Sequence, residues 1–415
     1  MKRFPLGGQA YARWQDYFDL GVIGSTHGLS DGFASLLKPV LALIVVDLGL
    51  STFDAGILLS VFSVSTFLFL YPLSLLADYS GKKKTILLIG IGLAAIAYFA
   101  MQWTTTFTAL AALAFLAGAG NATYHPCGTA LTAERFAHRR SFAISFHSMM
   151  GNLGASIMPI VQATVAMAAG WRTAVAICTV PAALLLPLVG LRFTNSAPSL
   201  HHLPMTGRQE RLRQITALVV SNRSVVILAM VYALTGMGTG VLTGFLALLA
   251  VAKFNLSTAT IGIALTTYYV AGVFAKPLMG YLYDRNGARL ALLIPLLLCG
   301  ALTICVAYSP WVWLFMLAIA LVGMASPISP IILTAAADHS DKEALASSVG
   351  LIYTCYGLSF LSPLIGGWLA EQYGLPVSYL FAALLIWAGA GVALLLSAKQ
   401  TTPESVYEPS TVRPY

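Results

Sequence analysis

Twelve long apolar runs leave this chain few folds to choose from. A membrane-crossing helix needs about 20 mostly apolar residues to span a hydrocarbon core of roughly 30 Å. Runs of about that length or longer occupy 20–48, 54–77, 85–103, 106–133, 141–168, 172–192, 223–252, 259–283, 288–308, 310–337, 345–370 and 376–398. They are far longer than the alternating ten-residue strands of a membrane barrel. The first run contains Asp31 and Lys38. It is too long for a signal-peptide core and no small-residue cleavage site follows it, so it reads as a span that is retained. Only 9% of the 415 residues are charged and 58% are hydrophobic, where a soluble domain carries about a quarter charged residues. So few charges cannot clothe a water-facing surface of this size, which excludes an ordinary soluble enzyme and a disordered chain.

The net charge of +8 comes from placement rather than from a nucleic acid partner. With the N-terminus inside, the cytoplasmic segments hold nineteen of the 23 basic residues, including Lys82, Lys83, Lys84, Arg135, Arg139, Arg140, Arg192, Arg285 and Arg289. The outer loops hold only Arg172 and Lys253, and Lys38 and Lys276 lie within spans. This bias predicts cytoplasmic N- and C-termini and an even number of spans. The predicted organisation is a cytoplasmic segment at 1–19, six spans over 20–192, a polar linker over 193–222, six spans over 223–398 and a polar tail over 399–415. Tyr11, Trp14, Tyr17 and Phe18 before the first span suit a short interfacial helix. Five cysteines, Cys127, Cys178, Cys299, Cys305 and Cys355, sit in apolar runs without a C-x-x-C pair. Neither a disulfide framework nor a structural zinc is expected.

The two halves echo each other. Ser74, Asp78, Gly81 and the run Lys82 to Lys84 after the second span echo Gly280, Asp284, Gly287 and Arg289 after the eighth, with the Asp and the Gly at one shift of 206. Gly151 and Pro159 in the fifth span parallel Gly357 and Pro363 in the eleventh. Parallel six-span repeats build transporters whose site lies between the halves. The Gly-x-x-x-Asp-x-x-Gly-x-Arg loop at 280–289 and the Gly170-Trp171-Arg172 turn resemble the major facilitator superfamily. Within it, the first half resembles the fosmidomycin-resistance group through Thr26-His27…Asp31, Gly118…Tyr124-His125-Pro126 and Gly151-Asn152-Leu153-Gly154…Pro159. Met158 stands where the antiporter signature of that span carries Gly. The resemblance implies an all-α membrane protein of twelve transmembrane helices in two pseudo-symmetric six-helix bundles. It also implies a gate at the inner face made by Asp78, Gly81, Lys82, Arg135, Gly280, Asp284, Gly287 and Arg289.

Ionisable groups inside a span are costly and rarely accidental. Asp31 lies eleven residues into the first run, about 16 Å deep at 1.5 Å per residue. At about 100° per residue, His27, Asp31 and Lys38 fall on one narrow stripe at roughly 0°, 40° and 20°. The stripe predicts that Asp31 carries the coupling proton, with His27 modulating it. Lys38 then either holds Asp31 ionised or draws an anionic substrate group. His125 and His147 lie at a depth similar to His27, on the inner side, and a titratable histidine layer there suits a relay. These two, with Asn152 and Lys276, are the remaining substrate-binding candidates. No carboxylate is spaced to complete a metal set with the histidines.

The function this predicts is proton-coupled efflux of a small molecule or drug by alternating access, in a bacterial inner membrane, by a monomer. A proton-coupled uptake symporter for an organic anion or other small metabolite is the alternative. No phosphate-binding Gly-x-x-x-x-Gly-Lys-Ser/Thr loop is present, no cofactor is expected, and no convergent nucleophile marks an enzyme. The expected partners are a small-molecule substrate, protons and the lipid bilayer.

Overall fold

The computed structural model describes residues 14–136, 139–195, 219–340 and 345–396. Most of the predicted linker, the tail and Tyr11 lie outside them, as does the side chain of Asp78. Every regular element among the described residues is a helix, without strands. In chain order the helices are α1 (Trp14–Ser35), α2 (Leu41–Leu48), α3 (Thr52–Ser80), α4 (Lys83–Ala100), α5 (Phe107–Asn121), α6 (Tyr124–Arg135), α7 (Arg140–Ile177) and α8 (Val180–Arg192). The second half follows with α9 (Arg223–Phe254), α10 (Thr258–Tyr308), α11 (Val312–Ala325), α12 (Ser329–His339), α13 (Leu345–Gly357), α14 (Leu361–Tyr373) and α15 (Leu375–Ala393).

Nine helical stretches among the described residues are long and apolar enough to cross a membrane. Two of these, Phe142–Arg192 and Thr258–Tyr308, are 51 residues long, twice what one crossing needs. Each is divided by a glycine in a backbone conformation that side chains disfavour, Gly170 (φ 80°) and Gly287 (φ 70°). Together α1 and α2 make the remaining crossing, which gives the twelve spans expected.

The turns repeat between halves as the spans do. Gly170 between the fifth and sixth spans has its counterpart in Gly374 (φ 89°) between the eleventh and twelfth. Gly81 (φ 67°) and Gly287 follow the second and eighth. The fourth and tenth spans are each interrupted once, before Tyr124 and before Ser329. Loops at the other turns are fixed by local caps. Ser51 and Asp54 form a reciprocal capping box at α3, while Thr106, Asn222 and Ser257 cap α5, α9 and α10.

Glycine lets the helices approach at the level of the backbone. A Cβ on Gly154 of α7 would lie 2.0 Å from the carbonyl oxygen of Gly28 in α1. One on Gly120 of α5 would lie 2.3 Å from the carbonyl oxygen of Gly90 in α4. Contacts of this kind substitute for the hydrophobic drive that helices lack in lipid.

The bundles meet closely at the end away from the basic loops. There a Cβ on Gly56 of α3 would meet the Pro363 carbonyl of α14 at 2.4 Å, and one on Gly262 of α10 would meet the Pro159 carbonyl of α7 at 2.9 Å. The backbone N–H of Phe53 donates to Glu371 at 3.0 Å across the same seam.

Two details differ from the sequence reading. Residues 14–19 continue the first spanning helix as part of α1 and do not form a separate interfacial helix. The first span is also discontinuous, with turns over 36–40 between α1 and α2. Pro39 cannot donate a backbone hydrogen bond and restricts the residue before it, which accounts for the break.

Candidate functional site

A cavity of about 1740 Å³ lies between the bundles. Its walls run from Pro363, beside the closed seam, to Ala77, Lys83, Leu333 and Val349 near the end that carries the basic loops. His27, Asp31, Lys38, His125, His147, Asn152 and Lys276 all line it. Asp31 is the one carboxylate among the described lining residues.

The first bundle contributes an imidazole-rich wall held together by few bonds. His27 follows Thr26 on the buried face of α1, and Nδ1 of His27 lies 2.7 Å from the carbonyl oxygen of His147 on α7. A carbonyl only accepts, so Nδ1 carries the hydrogen and the remaining Nε2 points away from it. The His27 ring stacks on His147 with centroids 4.1 Å apart and on Tyr124 at 5.1 Å. Tyr124 donates its hydroxyl to the Ile23 carbonyl at 2.7 Å. Its oxygen then accepts from Nε2 of His147 at 3.1 Å. Each ring is thereby fixed by the next.

The free edge of this wall faces Asp31. Nε2 of His27 lies 3.5 Å from Oδ2 of Asp31, and Nε2 of His125 lies 3.5 Å from Oδ1. One carboxylate therefore touches histidines from α1 and α6 with its two oxygens. Room for this exists because residue 151 is a glycine. A Cβ there would sit 2.6 Å from Oδ2 of Asp31 and 2.7 Å from Cε1 of His27. The expectation that no carboxylate completes a set with the histidines is corrected here, since one ligand atom from each of His27, Asp31 and His125 falls within 4.8 Å of the other two. Spacing along the chain could not reveal this, because His125 reaches the site from another helix.

Lys38 is not a partner of Asp31. The stripe reading assumes one continuous helix, and the break before Pro39 turns Lys38 away from it. Nζ of Lys38 instead donates to Oγ1 of Thr243 on α9 at 3.1 Å and to the hydroxyl of Tyr269 on α10 at 3.4 Å. A charged amine from the first bundle thus rests on neutral hydroxyls of the second. The second bundle adds Lys276, within electrostatic range of Asp31, and an aromatic wall. Tyr232 stacks on Tyr356 at 4.4 Å and meets Tyr353 edge-on. Tyr268, next to Tyr269, bonds to Ser326 at 3.0 Å.

The predicted gate residues lie at the basic end, and among the described residues no ion pair joins one to another. Gly81 and Gly287 hold the left-handed turns. Lys82 and Asp284 are exposed, Arg289 is half-buried, and no neighbouring side chain crowds Gly280. Asp284 and Arg289 make no ion pair among the described residues. Arg135 bonds within its own bundle, to Asp16 at 3.0 Å and Asp19 at 2.7 Å. Asp19, only 1% exposed, also takes Nε of Arg192 at 2.5 Å. This clamp joins the first, fourth and sixth spans. The sequence reading places Asp19 in a surface segment, which hides this role.

A closed seam at one end, a cavity reaching the other and pseudo-symmetric bundles define an all-α membrane protein built of two six-helix bundles. The chain belongs to the Major Facilitator Superfamily, which it matches over residues 23–233 and 228–413. It is 28% identical to the class E tetracycline resistance protein of Escherichia coli over 180 residues, 42% of this chain and 43% of that one. It is 30% identical to the multidrug resistance protein MdtG of Escherichia coli over 128 residues, 30% of this chain and 31% of the relative. The matched stretches thus span less than half of these relatives. Among solved structures, a bacterial homolog of the human lysosomal transporter Spinster, in an inward-facing and unoccupied conformation, superposes with a TM-score of 0.80 at 14% identity, covering 92% of this chain and 97% of that one. A point mutant of the nucleoside transporter NupG superposes with a TM-score of 0.76 at 14% identity, covering 91% and 99%.

Proposed function

We propose that the protein is a proton-coupled exporter of small molecules, acting as a monomer in a bacterial inner membrane with both termini in the cytoplasm. The observation that carries the reading is Asp31. It is the one carboxylate among the described lining residues and touches two histidines. A carboxylate in that position takes a proton from one side and loses it to the other as its access to water changes. The positive-inside bias makes the basic end cytoplasmic, so the cavity faces the cytoplasm, the state that loads an exported substrate. The matched relatives are resistance proteins for tetracycline and for multiple drugs. The motifs of the first half resemble the fosmidomycin-resistance group. Lys38, resting on hydroxyls, suits an anionic group of the substrate, with Asn152, His125, His147 and Lys276 around it, and the tyrosine wall suits an apolar part. Asp78, Gly81, Lys82, Arg135, Gly280, Asp284, Gly287 and Arg289 close the cytoplasmic end in the opposite state.

The test is transport into inverted membrane vesicles with an acidic lumen, using a panel that includes a tetracycline and a phosphonate antibiotic. The proposal predicts accumulation in the lumen that collapses with the proton gradient. Proton-driven movement out of such vesicles would instead assign an uptake symporter.

A further inference from the structure

Nε2 of His27 is the best-prepared unused atom in the molecule. The His27 side chain is only 9% exposed, and Nε2 is buried without a hydrogen-bond partner. Because Nδ1 donates to the His147 carbonyl, Nε2 of the neutral ring presents a lone pair toward Asp31. A lone pair facing a carboxylate oxygen 3.5 Å away leaves two electron-rich atoms with nothing positive between them. The arrangement calls for a cation there. Nε2 of His125 supplies a third donor, 3.5 Å from the other oxygen of Asp31.

We propose that His27, Asp31 and His125 form a binding site for a divalent transition-metal ion. The donor set decides the class. Two imidazole nitrogens and one carboxylate suit zinc, cobalt, nickel or copper, whereas magnesium and calcium are held mainly by oxygen. Around a tetrahedral zinc with bonds of 2.0–2.1 Å, neighbouring ligand atoms lie roughly 3.3 Å apart. The two histidine–carboxylate distances of 3.5 Å are near this value, and the three donor atoms already lie within 4.8 Å of one another. The half-exposed His125 ring is free to close the remainder. His27 is held as metal-bound histidines are, with its second nitrogen on a backbone carbonyl, and its ring lies against those of His147 and Tyr124. Water in the cavity fills the remaining positions. Gly151 leaves the space that any side chain would take.

The charge around the site sharpens the inference. Lys276 of the second bundle lies within electrostatic range of Asp31 and opposes a second cation. His147 is stacked on His27 but engages Tyr124 through Nε2, so it orients and does not ligate. Metal and proton become alternative occupants of one carboxylate, and a metal ion would hold the transporter against proton exchange. The inference rests on Asp31 as the cation-carrying group of the cavity, yet its test needs no transport, so each proposal can fail alone.

The test is titration of the purified, untagged protein with Co²⁺ alone, followed by visible absorption, and then displacement with Zn²⁺. One Co²⁺ per chain is expected, released by Zn²⁺. His125→Ala and Asp31→Asn each weaken binding at least about tenfold, as loss of a ligand exceeds the loss caused by outer-shell changes. Lys276→Gln tightens binding several-fold. His339→Ala, whose ring among the described residues bonds only to the Ala335 carbonyl, binds as the wild type. Absence of a saturable cobalt spectrum overturns the site, as does a spectrum that survives His125→Ala. An affinity unchanged by Lys276→Gln places the metal away from Asp31.

Discussion

Nδ1 of His27 donates to the backbone carbonyl of His147 across 2.7 Å, tying the first span to the fifth in the wall of the cavity. Beside this bond the two helices touch through Gly28 and Gly154. The bond sets which nitrogen of His27 faces Asp31, and the glycines set how close the helices come. Both conditions must hold for one carboxylate to reach two histidines.

The glycine contact yields the first prediction. Gly154→Ala places a Cβ 2.0 Å from a backbone oxygen that cannot move aside alone. The helices must separate, at a cost of at least about 2 kcal/mol. Thermal unfolding of the purified variant should fall clearly, whereas Gly280→Ala, with open space around it, should unfold like the wild type.

Tyr124→Phe tests the fixing of the rings. It removes the hydroxyl shared by the Ile23 carbonyl and His147 without changing the apolar bulk. Hydrogen bonds between membrane helices are modest, so the cost is about 1 kcal/mol. The larger expected effect is on transport, because His147 loses the bond that orients it. A variant with lowered stability and undiminished flux would remove Tyr124 from the account.

The clamp at Asp19 should be asymmetric. Replacing both Arg135 and Arg192 with Gln strands a carboxylate that is 1% exposed, which costs about 3–5 kcal/mol. Asp19→Asn leaves two guanidinium groups that are about one-third exposed and can reach water, so its cost is smaller. Comparing the unfolding midpoints of the two variants checks the order.

Gly56→Val should prevent closure of the seam away from the basic loops, because the added atoms meet the Pro363 carbonyl. In a cysteine-free background, a reporter at the cavity residue Ser63→Cys reacts with an impermeant maleimide from the cytoplasmic side. Adding Gly56→Val should shift its reactivity to the opposite side.

Much of this was legible in the sequence because helical period and charge bias act locally. His27 and Asp31, four residues apart, necessarily share a face, and His125 and His147 sit at matching depth. The twelve spans and the Gly170 and Gly287 breaks follow from run length and loop motifs. What was illegible depends on neighbours distant in the chain. The His147 carbonyl lies 120 residues from His27, and nothing in either local sequence pairs them. Helix geometry puts Lys38 on the stripe, although Pro39 beside it ends the helix. Asp19 reads as surface until two arginines from other spans close over it.

The central claim is that Asp31 carries the proton that drives transport. The direct measurement is proton-driven substrate accumulation in inverted vesicles, comparing wild type with Asp31→Asn at equal expression. The account predicts that Asp31→Asn abolishes gradient-dependent accumulation while the protein remains in the membrane. Undiminished accumulation in Asp31→Asn vesicles would contradict it.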